Sequence, residues 1–206
     1  SCAGSRKAVS YSFNTPFPPP ATLASMDSRI AQFLGHADTF TQRTTSLSAA
    51  QWACPSACEG WTAQDVLDHV IDTQREVFAR HGMDLGARPS GTPAEAWNAH
   101  AAAVRSAAAD ERTLLARFDG PFGPTTLADV LLDFYGFDLI IHAWDIRRAT
   151  GEDLKLTEAE LDFIEAVIPA WGDALYQDQI CGRPIEAPVD ASRQARLLAL
   201  TGRRSW

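Results

Sequence analysis

Apolar residues recur at helical spacing over five long stretches of this chain, and four of the stretches begin with the same polar signal. A Thr followed three residues later by an acid lets side chain and backbone satisfy each other's unpaired amides at a helix start. Thr62–Asp65, Thr92–Glu95, Thr126–Asp129 and Thr157–Glu160 all have this form, and Pro93 stands at the first helical position of the second case. The spacing predicts helices over 27–45, 62–81, 93–117, 127–150 and 158–176, with a short one near 192–201. Gly151 falls where a left-handed cap would close the fourth helix. Little reads as strand, although "RFDGPFGPTT" (117–126) carries the turn residues of a small hairpin. Loops at 46–61, 82–92, 118–125 and 177–191 hold many of the Pro and Gly residues. The pattern predicts an all-α protein built on four long helices in an antiparallel bundle, with the fifth helix and the C-terminal helix and tail packed outside it.

Two of these helices place polar residues on their apolar stripe. In the second, Val66, Val70 and Val77 form the stripe with Thr73 between them, and His69 lies on it at i+3 from Val66. Asp65, Asp68, Asp72 and Glu76 fall mainly on other faces, open to water. In the fourth, Leu131, Phe134, Tyr135, Asp138, Ile141, His142 and Asp145 follow one face. Asp138 and His142 therefore project from adjacent turns toward one spot.

A buried carboxylate is costly unless something pairs with it or neutralises it. Three arrangements can do so: Asp138 pairs with His142 alone; it pairs with Arg147 or Arg148, which project from other parts of the helix; or a divalent cation binds Asp138, His142 and a third ligand. Helical bundles build metal sites from inward side chains on facing helices, and His69 is the natural third ligand. Two imidazoles and one carboxylate would leave coordination positions open, as reactive metal sites do. His100, near Trp97, Ala101 and Val104, is the serious rival ligand; His36 and His81 compete weakly.

Composition narrows the partners. The formal net charge is −8 and there is no long Lys/Arg run, which disfavours phosphate backbones and anionic lipid. No apolar run reaches the roughly 18 residues of a membrane span. Four scattered cysteines (Cys2, Cys54, Cys58, Cys181) read as free thiols in a reducing cytoplasm rather than a disulfide scaffold. Residues 1–25, which include "PFPPP" and lack a secretory apolar centre, read either as a flexible N-terminal arm or as sequence from upstream of the natural start, with Met26 as a plausible start and 26–206 as the single bundle domain.

Neighbouring residues read as structural. Trp61 and Trp144 are expected to fill the ends of the bundle. Asp145 and Arg148, at i and i+3, form a surface pair, while Arg147 or Arg148 at a cavity mouth is the alternative, holding a substrate carboxylate. Cys58 is expected to support packing or capping. No Walker loop, dinucleotide fingerprint, G-x-S-x-G elbow or HExxH occurs, which argues against a kinase, a Rossmann enzyme, a serine hydrolase and a zincin.

Taken with their spacing, several segments resemble the DinB-like proteins. "PSACEGWTAQDVLDHV" (55–70) is similar to their lead into the second helix, and "DLIIHAWDIRRATG" (138–151) to their metal-binding fourth helix. "RLLALTGRRSW" (196–206) resembles the closing segment of an actinobacterial branch related to the metal-binding domain of mycothiol-dependent maleylpyruvate isomerase. The resemblance spans about 26–206. It implies a DinB-like four-helix bundle that binds a divalent metal, often zinc or nickel, through His69, Asp138 and His142. It also implies thiol chemistry: a transferase or isomerase using a mycothiol-type thiol, with a small-molecule thiol and an electrophile as partners and a homodimer left open. Catalytic and substrate-binding residues stay unassigned. The rival readings are a non-catalytic metal-binding or stress-response bundle, and a plain helical bundle with Asp138 and His142 as a buried polar pair.

Overall fold

The computed structural model describes residues 26–120, 123–177 and 180–206; the N-terminal extension expected over 1–25 lies outside the described residues. Four long helical segments form the bundle: α1 (Met26–Thr44), α3 (Ala63–Arg80), α4 (Pro93–Ala107) and a composite fourth rod. That rod runs from α6 (Leu127–Val130) through a π-helical stretch (Leu131–Gly136) into α7 (Phe137–Ala149). Short α2 (Ala49–Trp52) precedes α3, and short α5 (Glu111–Leu114) follows α4. Outside the four rods lie α8 (Glu158–Trp171), a 3-10 turn (Gly172–Tyr176) and α9 (Arg193–Leu200). The protein is an all-α bundle, and the sheet among the described residues is one hairpin, β1 (Arg117–Gly120) against β2 (Gly123–Thr126), with Arg117 opposite Thr126.

All four expected capping boxes form. Thr62, Thr92, Thr126 and Thr157 each accept from the N3 amide while the N3 acid accepts from the cap backbone. Gly151 takes the expected left-handed conformation at φ 79°. Ser48 and Gln51 make a further box that starts α2 inside the expected loop. The third helix stops earlier than its alanine-rich sequence suggests. Asp110 accepts from the Thr113 amide and caps a new turn, so the chain breaks after Ala107 rather than running to 117. The fifth tightens into the 3-10 turn after Trp171.

The composite rod is the centre of the molecule. From Leu127 to Ile146, every described residue but Asp138 is buried, the signature of a helix covered on all sides. It packs against α3 on one side and α1 on the other, and α4 closes the ring against both. The buried apolar side chains form one contiguous core. The π-helical stretch adds backbone per turn immediately before Asp138 and so sets which way α7 presents its polar residues. Tyr135, within it, donates its hydroxyl to the Thr73 carbonyl of α3 at 3.1 Å and ties the two rods together one turn from the polar cluster.

Candidate metal centre

His69 on α3 and Asp138 and His142 on α7 converge between their two helices. Each offers one ligand-type atom, and the three atoms lie within 4.8 Å of one another. The imidazole rings of His69 and His142 meet edge to face, with centroids 5.3 Å apart, and the Trp61 ring also packs on His69, with centroids 5.1 Å apart. Both histidines are buried, and the Asp138 side chain is only 14% exposed.

His142 is held at both ring nitrogens. Its Nδ1 lies 2.9 Å from Asp145 Oδ2, and its Nε2 lies 3.1 Å from Asp138 Oδ1. With the Nδ1 proton committed to Asp145, neutral His142 presents its Nε2 lone pair to a carboxylate oxygen. Two lone pairs facing each other at this distance need a positive charge between them. Without a cation, a second proton on His142 supplies it: burial alone would lower the pKa of His142, but Asp138 beside it and the hydrogen bonds it makes push it well above the usual range. The same pairing outweighs burial at Asp138 and holds that carboxyl below its usual range. His69 is pulled down to about 4 by desolvation, so its imidazole is neutral near pH 7.

The donor set fits a divalent cation. Asp138 Oδ2 is buried and has no hydrogen-bond partner among the described residues, which is costly for a carboxylate oxygen. Formal charges reinforce the point. Asp138 and Asp145 carry two negative charges and Arg203 one positive charge, so neutral histidines leave the interior one charge negative. A cavity of about 500 Å³ opens onto the cluster, lined in part by Trp61, His69, His142, Ile180, Cys181 and Arg203.

Asp145 departs from expectation, and Cys58 has a role beyond the expected one. Asp145 makes no surface pair with Arg148; it is fully buried, accepting from Arg203 through Nε–Oδ1 (2.8 Å) and Nη2–Oδ2 (2.7 Å). The Cys58 thiol packs against the core as expected and in addition donates to the same Oδ2 at 3.2 Å, which brings it into the polar cluster. Cys58, His142 and Asp145 also group their ligand-type atoms closely, but the guanidinium of Arg203 already occupies the cation's place beside Asp145.

The other candidates lie elsewhere. His100 is buried with Nε2 3.0 Å from Gln74 Oε1 and does not join the cluster. His81 caps the end of α3 and packs on Phe118, while His36 packs on Phe163. Arg147 pairs with Glu152, and Arg148 lies over the Trp144 ring; neither lines the cavity. Trp144 is fully buried as expected, and Trp61 packs against the core as expected while also lining the cavity. Cys54, Cys58 and Cys181 are free thiols.

An all-α bundle with an interior histidine–carboxylate cluster beside a cavity is the class that fold and site define. The model of the mycothiol maleylpyruvate isomerase N-terminal domain family matches residues 33–147, and the chain belongs to that family. The match contains His69, Asp138 and His142 and ends before Arg203. Two similar proteins are the uncharacterized proteins Rv0738 and MT0763 of Mycobacterium tuberculosis, from strains H37Rv and CDC 1551. Each is 31% identical over 121 residues, covering 58% of this chain and 65% of the relative. The aligned segment thus spans just under two thirds of either relative's length. No solved structure matches the chain.

Proposed function

We propose that this protein is a metal-dependent transferase or isomerase that uses a low-molecular-weight, mycothiol-type thiol, with His69, Asp138 and His142 as its metal ligands. The observation that carries the reading is the convergence of three ligand-type atoms, from His69, Asp138 and His142, within 4.8 Å of one another beside a cavity of about 500 Å³, with the second oxygen of Asp138 buried and without a hydrogen-bond partner among the described residues. The family to which the chain belongs points to the same thiol.

A bound divalent cation supplies Lewis acidity that lowers the pKa of a thiol held beside it. The residues of the chain prepare the place. His69 stays neutral because of its burial, Asp145 holds the Nδ1 proton of His142 and leaves Nε2 for ligation, and Trp61 and Ile180 supply part of the cavity's apolar lining. Asp138, Asp145 and Arg203 sum to one negative charge, so the loaded site carries one net positive charge and favours an anionic thiolate over a neutral thiol.

The test is thiol binding followed by turnover. Zinc-loaded protein is titrated with mycothiol by calorimetry, and thiol-dependent isomerisation of maleylpyruvate and S-transfer to model electrophiles are then assayed. Saturable binding that is absent from His142→Ala, with turnover of at least one electrophile, supports the reading. Metal binding with no thiol affinity and no turnover would leave a non-catalytic metal protein.

A further inference from the structure

The fourth rod does not complete the cluster alone. The chain returns after α9 and places Arg203 against Asp145 and beside Cys58, far in sequence from every proposed ligand and beyond the segment that defines the family match. The guanidinium is clamped on two sides: Nε and Nη2 fork onto both oxygens of Asp145, and Nη1 donates to the Thr201 carbonyl at 3.0 Å. The backbone that delivers it is equally fixed. Gly202 turns left-handed at φ 78°, and a Cβ there would lie 2.8 Å from the Gly182 Cα, so only glycine lets the tail seat this closely.

We propose that Arg203 is a positioning residue of the metal centre, acting through Asp145 to fix the orientation and tautomer of His142. The inference rests on the metal reading given above. Asp145 Oδ2 accepts from three groups, namely His142 Nδ1, Arg203 Nη2 and Cys58 Sγ. A fully buried carboxylate is held in plane by the guanidinium that forks onto both of its oxygens. Without Arg203, Asp145 can rotate, and the Nδ1–H of His142 loses its fixed acceptor. The Nε2 lone pair then no longer points at the space shared with Asp138 and His69. A carboxylate that orients a ligating histidine raises metal affinity about 10–100-fold in other proteins, and here that carboxylate is itself held by a residue from the C-terminal segment. The C-terminal segment is thereby part of the site, and Ile180, Cys181, Gly182, Thr201 and Gly202 beside Arg203 form one wall of the cavity.

The experiment uses the full chain and Co(II) as the probe, with affinity measured against a competing chelator and the visible absorption of bound Co(II) recorded well below each variant's melting temperature. Arg203→Met and Asp145→Asn are each expected to weaken Co(II) binding about 10–100-fold and to alter the absorption envelope. The double variant should be no weaker than the worse single variant, because both changes break one relay. Arg203→Lys keeps the charge but loses the fork, and should fall between wild type and Arg203→Met; it also serves if Arg203→Met does not fold. A lowered melting temperature with wild-type affinity and spectrum in Arg203→Lys or Arg203→Met would make Arg203 a structural staple and overturn the inference. Wild-type protein that binds no Co(II), zinc or nickel would overturn the metal reading itself and this inference with it.

Discussion

Replacing Asp138 with Asn separates a metal ligand from a structural buried pair. The side chain is 14% exposed, Oδ1 lies 3.1 Å from His142 Nε2, and Oδ2 has no hydrogen-bond partner among the described residues. In cation-free protein two effects oppose each other. Loss of a charge-assisted contact to His142 costs about 1.5–3 kcal/mol, and removing a buried charge with an unsatisfied oxygen returns about 1–3 kcal/mol. The net change should stay within about 2 kcal/mol, or at most roughly 8 °C for a chain of this size. Wild-type protein, in contrast, gains about 2.7 kcal/mol from a cation at a hundredfold excess over its Kd, which is roughly 5–11 °C in melting temperature. Differential scanning fluorimetry of untagged protein with and without zinc or nickel reads both quantities. Asp138→Asn is expected to melt near cation-free wild type and to lose the metal-induced shift. A variant that melts far below wild type yet retains the whole shift would refute the reasoning, because Asp138 would then be a structural partner of His142 and not a ligand.

Other expectations follow from contacts outside the ligand set. Arg43 forks onto Glu160 through two hydrogen bonds of 2.6 and 2.8 Å, and these, with the Thr157 cap, outweigh burial and hold the Glu160 carboxyl below its usual range. The contribution of this pair is therefore complete above the ordinary glutamate pKa of about 4.3 and is lost as pH falls through the lowered folded value. Glu160→Gln keeps the cap but not the ion pair, so urea unfolding should show wild type more stable at pH 7 and the gap closing below about pH 4.3; a gap that does not change with pH would contradict the assignment. Gly202→Ala should cost about 1–3 kcal/mol by chemical denaturation, from a left-handed φ and from the close approach to Gly182; an unchanged midpoint would show that the tail is not seated as described.

Local chemistry made the fold legible in the sequence. The four Thr-initiated boxes and Gly151 depend only on residues within a turn of each other, and they mark the helix boundaries directly. The same local logic missed Asp110, whose competing cap ends α4 inside a run that by propensity alone continues. The π-helical stretch left no sequence signal, since Leu131–Gly136 is apolar enough to suit either helical form. His69, Asp138 and His142 could be singled out because each is a polar residue on an apolar stripe. What surrounds them could not. Asp145 lies on the same stripe as His142, and that was the available clue to its burial, but Arg148 three residues on offered a nearer partner. Its actual partner, Arg203, comes from 58 residues away and Cys58 from 87, and no spacing rule reaches across a tertiary contact of that kind.

The central claim is that a cation holds His69, Asp138 and His142 together, and the most direct measurement is metal content with location. Untagged protein purified without chelator is analysed for its elements, and its crystals are measured on either side of the absorption edge of the metal found. The account predicts one divalent ion per chain, with an anomalous peak between these three side chains. Metal-free protein whose melting temperature ignores added zinc and nickel, or a peak bound elsewhere, would contradict it.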